Sequence, residues 1–272
     1  MELFDSHCHL DFEPLSADIA GAVERAGSVG VVKMINVGTS LRRSAKSVEI
    51  AEYYSNVWAT VGLHPQDAIE VTDIVQAIEG LKEMAGDKKV VAIGEIGLDY
   101  YSAGTGAKGT VSDHDKDKQK EIFVAQLGLA EELKLPVVVH VRDAWDDFFG
   151  ILEKQRAEYG HYPQGVVHCF TGSPEVAKKI SDLGMYVGFT GFVTFEQDKF
   201  DEIREAAKIV PLEQILIETD APFLAPEPYR GKTNEPAFVV EVAKKIAELK
   251  NKSFEEVAEA TYKNTKKVFQ LE

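Results

Sequence analysis

Two cysteines, Cys8 and Cys169, are all that 272 residues carry. That is too few for a disulfide framework or for a closed zinc site of four thiolates. Long apolar runs are missing as well. Even VVAIGEIGLDYY (90–101) is interrupted by Glu95 and Asp99, short of the roughly 20 apolar residues that span a bilayer, so no membrane segment is expected. The opening MELFDSHCHLDF has acids and histidines where a signal peptide needs a basic start and an apolar stretch, which points to a cytoplasmic protein. Positive charge is scarce: 30 Lys and Arg against 45 Asp and Glu give a formal net charge of -15. The deficit excludes an extended, sequence-independent grip on duplex nucleic acid, which depends on many cationic contacts to phosphate. A short strand end met by bound divalent cations escapes that exclusion, because such an ion dominates the field of its own site. Also absent are a GxGxxG after the first apolar run, any internal repeat, and any boundary marking a second domain.

What is present fits one large α/β unit. Hydrophobic residues at 44% and charged residues at 28% suffice for a full core, and the length suits a single barrel of about 250 residues. Short β-branched runs at 2–6, 29–37, 57–62, 90–96, 136–140, 165–168, 186–189 and 215–218 predict eight strands. Runs such as VVAI, VVVH and ILIE are apolar without alternation, as strands covered on both faces are. Amphipathic stretches at 17–25, 40–53, 67–84, 118–133, 175–182 and 235–247 predict helices between them. Eight right-handed βα crossovers close into a (β/α)8 TIM barrel, expected as a single domain over 1–272, with an extra C-terminal helix at 254–269 on the outside. Segment 102–118, rich in Gly, Ser, Asp and Lys, reads as a surface loop or a lid, with His114 exposed.

The chemistry lies at the strand ends. His7 and His9 end the first strand, Glu95 the fourth, His140 the fifth and His168 the sixth, while Asp220 follows the eighth. In a barrel these ends share one mouth, so residues distant in sequence meet around one pocket. Alternation sends His7 and His9 to the same side and turns Cys8 away into packing. Four imidazoles and two carboxylates suit two divalent ions, Mg, Mn or Zn, with Glu95 as the bridge. His7, His9 and Asp220 then serve one ion and His140 and His168 the other, leaving positions open for water and substrate. Glu218, two residues before Asp220, could face the same side and ligate, but buried pairing with Arg or Lys is at least as good a reading and it is left out of the ligand set; Cys169 reads as a small buried hydrophobe. The helix face bearing Arg42, Arg43 and Lys46 reads as solvated, with contact to DNA as the other reading.

Six motifs in order, DSHCHLD (5–11), GLHP (62–65), GEIGLDYY (94–101), HVRDA (140–144), HCFTG (168–172) and ETDAPFL (218–224), make the chain resemble, end to end, the TatD family of metal-dependent deoxyribonucleases within the amidohydrolase-like group. The resemblance implies the same two-metal set, a phosphate contact from His64, and exonucleolytic trimming of DNA from the 3′ end. It also implies single-stranded or frayed DNA ends as the partner, with oligomeric state left open and a monomer included. YRGKTNEP (229–236) resembles a further family motif, with Thr233 where a basic residue is expected.

The primary expectation is phosphodiester hydrolysis by a two-metal-activated water, with Glu95 and Asp220 as catalytic carboxylates and His64, Arg142, Arg230 and Lys232 binding substrate. Two alternatives stand beside it. The same site could open a carboxylic ester, amide or lactone, for example an aminoacyl ester, or the barrel could be a non-catalytic metal- or nucleic-acid-binding module.

Overall fold

Strands apolar on both faces need cover on both sides, and the chain supplies it with helices outside and side chains within. The computed structural model describes residues 1–101 and 111–271. The strands β1 (Leu3–Cys8), β2 (Val31–Val37), β3 (Val57–Val61), β4 (Val90–Asp99), β5 (Val137–Arg142), β6 (Gly165–Val167), β7 (Tyr186–Phe189) and β8 (Ile215–Ile217) pair in parallel in sequence order. Around them lie α1 (Ile19–Ser28), α2 (Leu41–Tyr53), α3 (Pro65–Ala68), α4 (Ile74–Ala85), α5 (Asp113–Leu133), α6 (Trp145–Tyr159), α7 (Pro174–Asp182), α8 (Asp201–Ile209), α9 (Val239–Lys250) and α10 (Phe254–Val268). This is the expected (β/α)8 barrel. Among the described residues, no helix is long and apolar enough to cross a membrane.

The barrel closes through side chains as much as through backbone. β8 is only three residues long, so its seam with β1 continues past its end: Asp220 N–H donates to His7 O at 2.9 Å and His9 N–H to Ala221 O at 2.8 Å. Below these, the buried Asp5 carboxylate accepts from Thr219 N–H (2.9 Å) and from the Thr219 hydroxyl (2.6 Å). Burial pushes this carboxyl up to about 8, against the pull of its bonds from Thr219 and His7.

Several boundaries differ from the expected ones, each for a local reason. Residues 113–118, expected in the loop, form the first turns of α5, because Ser112 caps the helix by accepting from Asp115 N–H and Asp113 and Asp115 complement the helix dipole. Exposed His114 therefore stands on a helix, and residues 102–110 of that loop lie outside the described residues. The helix expected over 67–84 is two, since Asp73 caps a fresh start by accepting from Gln76 N–H. Helix α10 does not simply lie on the outer wall. Its last turn brings Val268 and Phe269 into one cluster with Phe4, Val138, Val166 and Leu216, and Tyr262 packs 6.0 Å from the Phe4 ring. It therefore plugs the end of the barrel where the strands begin.

Strand β4 is three residues longer than expected and irregular. Gly94 pairs with Val138 and Ile96 with Val139, leaving Glu95 as an extra residue, a bulge that re-aims its side chain. Gly97, two residues on, has φ +134°, and a Cβ there would sit 2.0 Å from His140 O. Gly97→Ala must displace the backbone that carries His140, and a loss of about 3 kcal/mol in chemical denaturation is expected. A variant as stable as the wild type would show that β5 yields at no cost.

Candidate active site

Every sequence-predicted ligand reaches one cavity or its floor. The cavity, of about 530 Å³, opens at the C-terminal ends of the strands and is lined by His9, His64, Glu95, His140, His168 and Asp220 among others, with buried His7 just beneath. At its centre the two oxygens of Glu95 divide the imidazoles between them. Oε2 lies 3.5 Å from His7 Nε2 and 3.8 Å from His9 Nε2, whereas Oε1 lies 2.7 Å from His168 Nε2, 3.2 Å from His140 Nδ1 and 3.4 Å from His64 Nε2. Asp220 Oδ1 joins the first group, 3.4 Å from His9 Nε2 and 3.6 Å from His7 Nε2. The residue sits at φ +56°, a left-handed conformation that aspartate tolerates better than most, and its backbone is held in the β1 seam.

Partners behind these side chains set their tautomers. His9 Nδ1 is 3.1 Å from Val37 O, which can only accept, so Nδ1 carries a proton and Nε2 is the atom that faces the carboxylates. The same Nε2 stands 3.2 Å from His7 Nε2, and His140 Nδ1 stands 3.2 Å from His168 Nε2. Converging imidazole nitrogens shared between carboxylates form the donor set of a divalent cation, so the residues present fit a metal. His64 differs from the others. Its Nδ1 accepts from Gln66 N–H at 3.2 Å, which puts the proton on Nε2 and points a donor into the cavity.

Electrostatics follow from crowding these groups out of water. Burial opposes ionisation of Glu95, but His168, His64 and His140 outweigh it and hold the carboxyl well below the usual range. Burial likewise works against protonation of His168, yet Glu95 and Glu218 carry its pKa well above the ordinary imidazole value. At His64 burial wins, lowering the pKa to about 4 despite Glu95. At Asp220 burial is outweighed by His9 and His7, which keep it ionised.

Two carboxylates stand behind the histidines: Asp99, which sequence reasoning missed, and Glu218, which it had left out of the ligand set. Asp99 Oδ2 is 3.5 Å from His140 Nε2 and accepts from the Gln66 side chain at 2.8 Å. Glu218 lies 3.6 Å from His168 Nδ1 and accepts from the Cys169 N–H and the Ser6 hydroxyl, so its cationic partner is this imidazole and not the Arg or Lys expected for it. A carboxylate behind a ligating imidazole raises its basicity and fixes its ring. Glu218→Gln is therefore expected to weaken metal binding roughly 10- to 100-fold, measured by competition with a chelator. Unchanged affinity would reduce Glu218 to a loop fastener.

The cationic residues divide. Arg142 lines the cavity with its guanidinium 3.4 Å from the Tyr101 ring centroid. Arg230 and Lys232 lie outside the lining: Arg230 donates to the Gln197 side chain at 2.6 Å and covers Phe195, and Lys232 is exposed near Tyr229. Arg43, read from sequence as either solvated or facing DNA, lines the cavity. The signal for it was Ser40, the cap of α2, because a helix that starts right after a barrel strand puts its first turn at the mouth. Cys8 packs away from the site as expected, its thiol donating to Ile35 O.

The family model described as TatD related DNase matches residues 4–270. An uncharacterized metal-dependent hydrolase of Bacillus subtilis, YabD, is 41% identical over 269 residues, covering 99% of each chain. A protein of Escherichia fergusonii named 3′-5′ ssDNA/RNA exonuclease TatD is 34% identical over 271 residues, covering 98% of each. Among solved structures, the TatD homolog YJJV of Escherichia coli superposes with a TM-score of 0.88 at 32% identity, covering 99% of this chain and 98% of that one.

Proposed function

Because this chain belongs to the TatD-related DNase family and is similar along its whole length to metal-dependent hydrolases, we propose that it removes nucleotides from the 3′ end of single-stranded or frayed DNA, using two divalent ions. The observation that carries the reading is the division of Glu95: one oxygen toward His7 and His9, the other toward His140 and His168. Glu95 would bridge the ions, His7, His9 and Asp220 completing one shell and His140 and His168 the other. Ions so held supply Lewis acidity, lowering the pKa of water and offsetting charge on the phosphate.

The chain's own groups do the rest. Asp220, ionised and at the cavity wall, is placed to accept the proton of the attacking water. Neutral His64 donates Nε2–H to a non-bridging phosphate oxygen, and Arg43 and Arg142 offer guanidinium groups to the flanking phosphates. Those two cations favour phosphate over an uncharged ester. A cavity of about 530 Å³ has the size of a small-ligand pocket, so it takes a strand end and not a duplex.

The test is digestion of 5′-labelled single-stranded DNA by protein reconstituted in turn with Mg, Mn, Zn and Co, with a chelator control. A ladder that shortens stepwise from the 3′ end and stops on chelation is the expected result. No cleavage with any metal would redirect the search to carboxylic esters and amides.

A further inference from the structure

We infer that Phe223, buttressed by Phe12 and Arg43, is a stacking platform for the nucleobase on the Asp220 side of the scissile phosphate; the inference rests on the nuclease reading above. Both rings line the cavity with the candidate ligands. Phe12 is committed to support. One face is covered by the Arg43 guanidinium, 3.5 Å from the ring centroid, and its ring meets Phe223 edge-on at 5.8 Å and 82°. Arg43 is held in turn by Asp11 at 2.8 Å. Phe223 is left 49% exposed, a large apolar ring facing solvent at the rim of a charged pocket.

The backbone that carries the ring is held in place from behind. Phe223 N–H donates to Asp220 O, and fully buried Asn234 donates to both Phe223 O (2.6 Å) and Thr219 O (2.8 Å), tying the aromatic to the loop that presents Asp220. A solvent-facing aromatic on a pinned backbone, three residues from a candidate base, offers a flat face to whatever carries the phosphate. A nucleobase fits that face whatever its identity, because each base has a π surface. Across the barrel, at the β4–β5 side opposite the β1–β8 seam, Arg142 over Tyr101 forms a second arginine–aromatic pair. A strand laid over the centre thus meets an aromatic at either rim.

The experiment compares a 5′-labelled oligonucleotide ending in an ordinary 3′ nucleotide with the same oligonucleotide ending in an abasic residue. Wild type is expected to favour the ordinary end by about tenfold to a hundredfold in kcat/KM. Phe223→Ala is expected to lose that factor on the ordinary end and to treat the two substrates alike, and Phe223→Trp to restore the preference. Wild type that cleaves both ends equally, or an alanine variant that keeps the full wild-type ratio, overturns the stacking role while leaving the nuclease intact. Wild type that cleaves neither with any metal overturns the nuclease reading and this inference with it.

Discussion

Glu95→Ala is expected to lower kcat by at least about 10³-fold and to strip bound metal from both halves of the centre. The size of the effect follows from position. Five imidazoles, those of His7, His9, His64, His140 and His168, have a nitrogen within 3.8 Å of this one carboxylate, which is itself 3% exposed. Without it the two halves lose the group they share, and a cation in either half loses an anionic ligand. Glu95→Gln preserves volume and the β4 bulge while removing the charge, so it separates metal loss from misfolding. Metal content by mass spectrometry, read beside the rate on labelled DNA, decides the matter. A variant that keeps its metal and its rate would remove Glu95 from the centre.

Asp220→Asn should act at a different step. Asparagine keeps the left-handed backbone position and an oxygen, so the seam to His7 O and most of the metal should survive, while the ability to take a proton is gone. A fall of about 10²- to 10⁴-fold in kcat with little change in KM is expected. Normal metal content together with a normal rate would assign the proton transfer elsewhere.

Much of this layout was written in residue types and spacing. Buried β-branched runs specify parallel strands, and parallel strands closed into a barrel bring their C-terminal ends to one mouth, so His7, His9, Glu95, His140, His168 and Asp220 could be gathered before any coordinates. What stayed hidden depends on geometry finer than a pattern. The β4 bulge adds a residue without altering the apolar run, so it leaves no periodicity to read. Asp99 and Glu218 act through histidines far from them in sequence, and a carboxylate's type does not say which imidazole it stands behind. Arg230 and Lys232 are cations near a motif, yet they fall outside the cavity lining, while Arg43, on a helix face that reads as solvated or as facing DNA, lies within it. The extra start at Asp73 and the earlier start at Ser112 were capping signals inside segments read as uniform.

The closure of the barrel also sets an order in time. Contacts between Asp5 and Thr219, between Ser6 and Ile217, and between His7 and Asp220 span more than 200 residues of chain. During synthesis the first strand must wait, its histidines already made, until the ribosome has released the segment around Thr219 to Ala221. Pairing this remote is slow because the loop must be closed before any contact is gained. His7, His9 and Asp220 therefore come together late, only once residues 219–221 are free to reach the first strand.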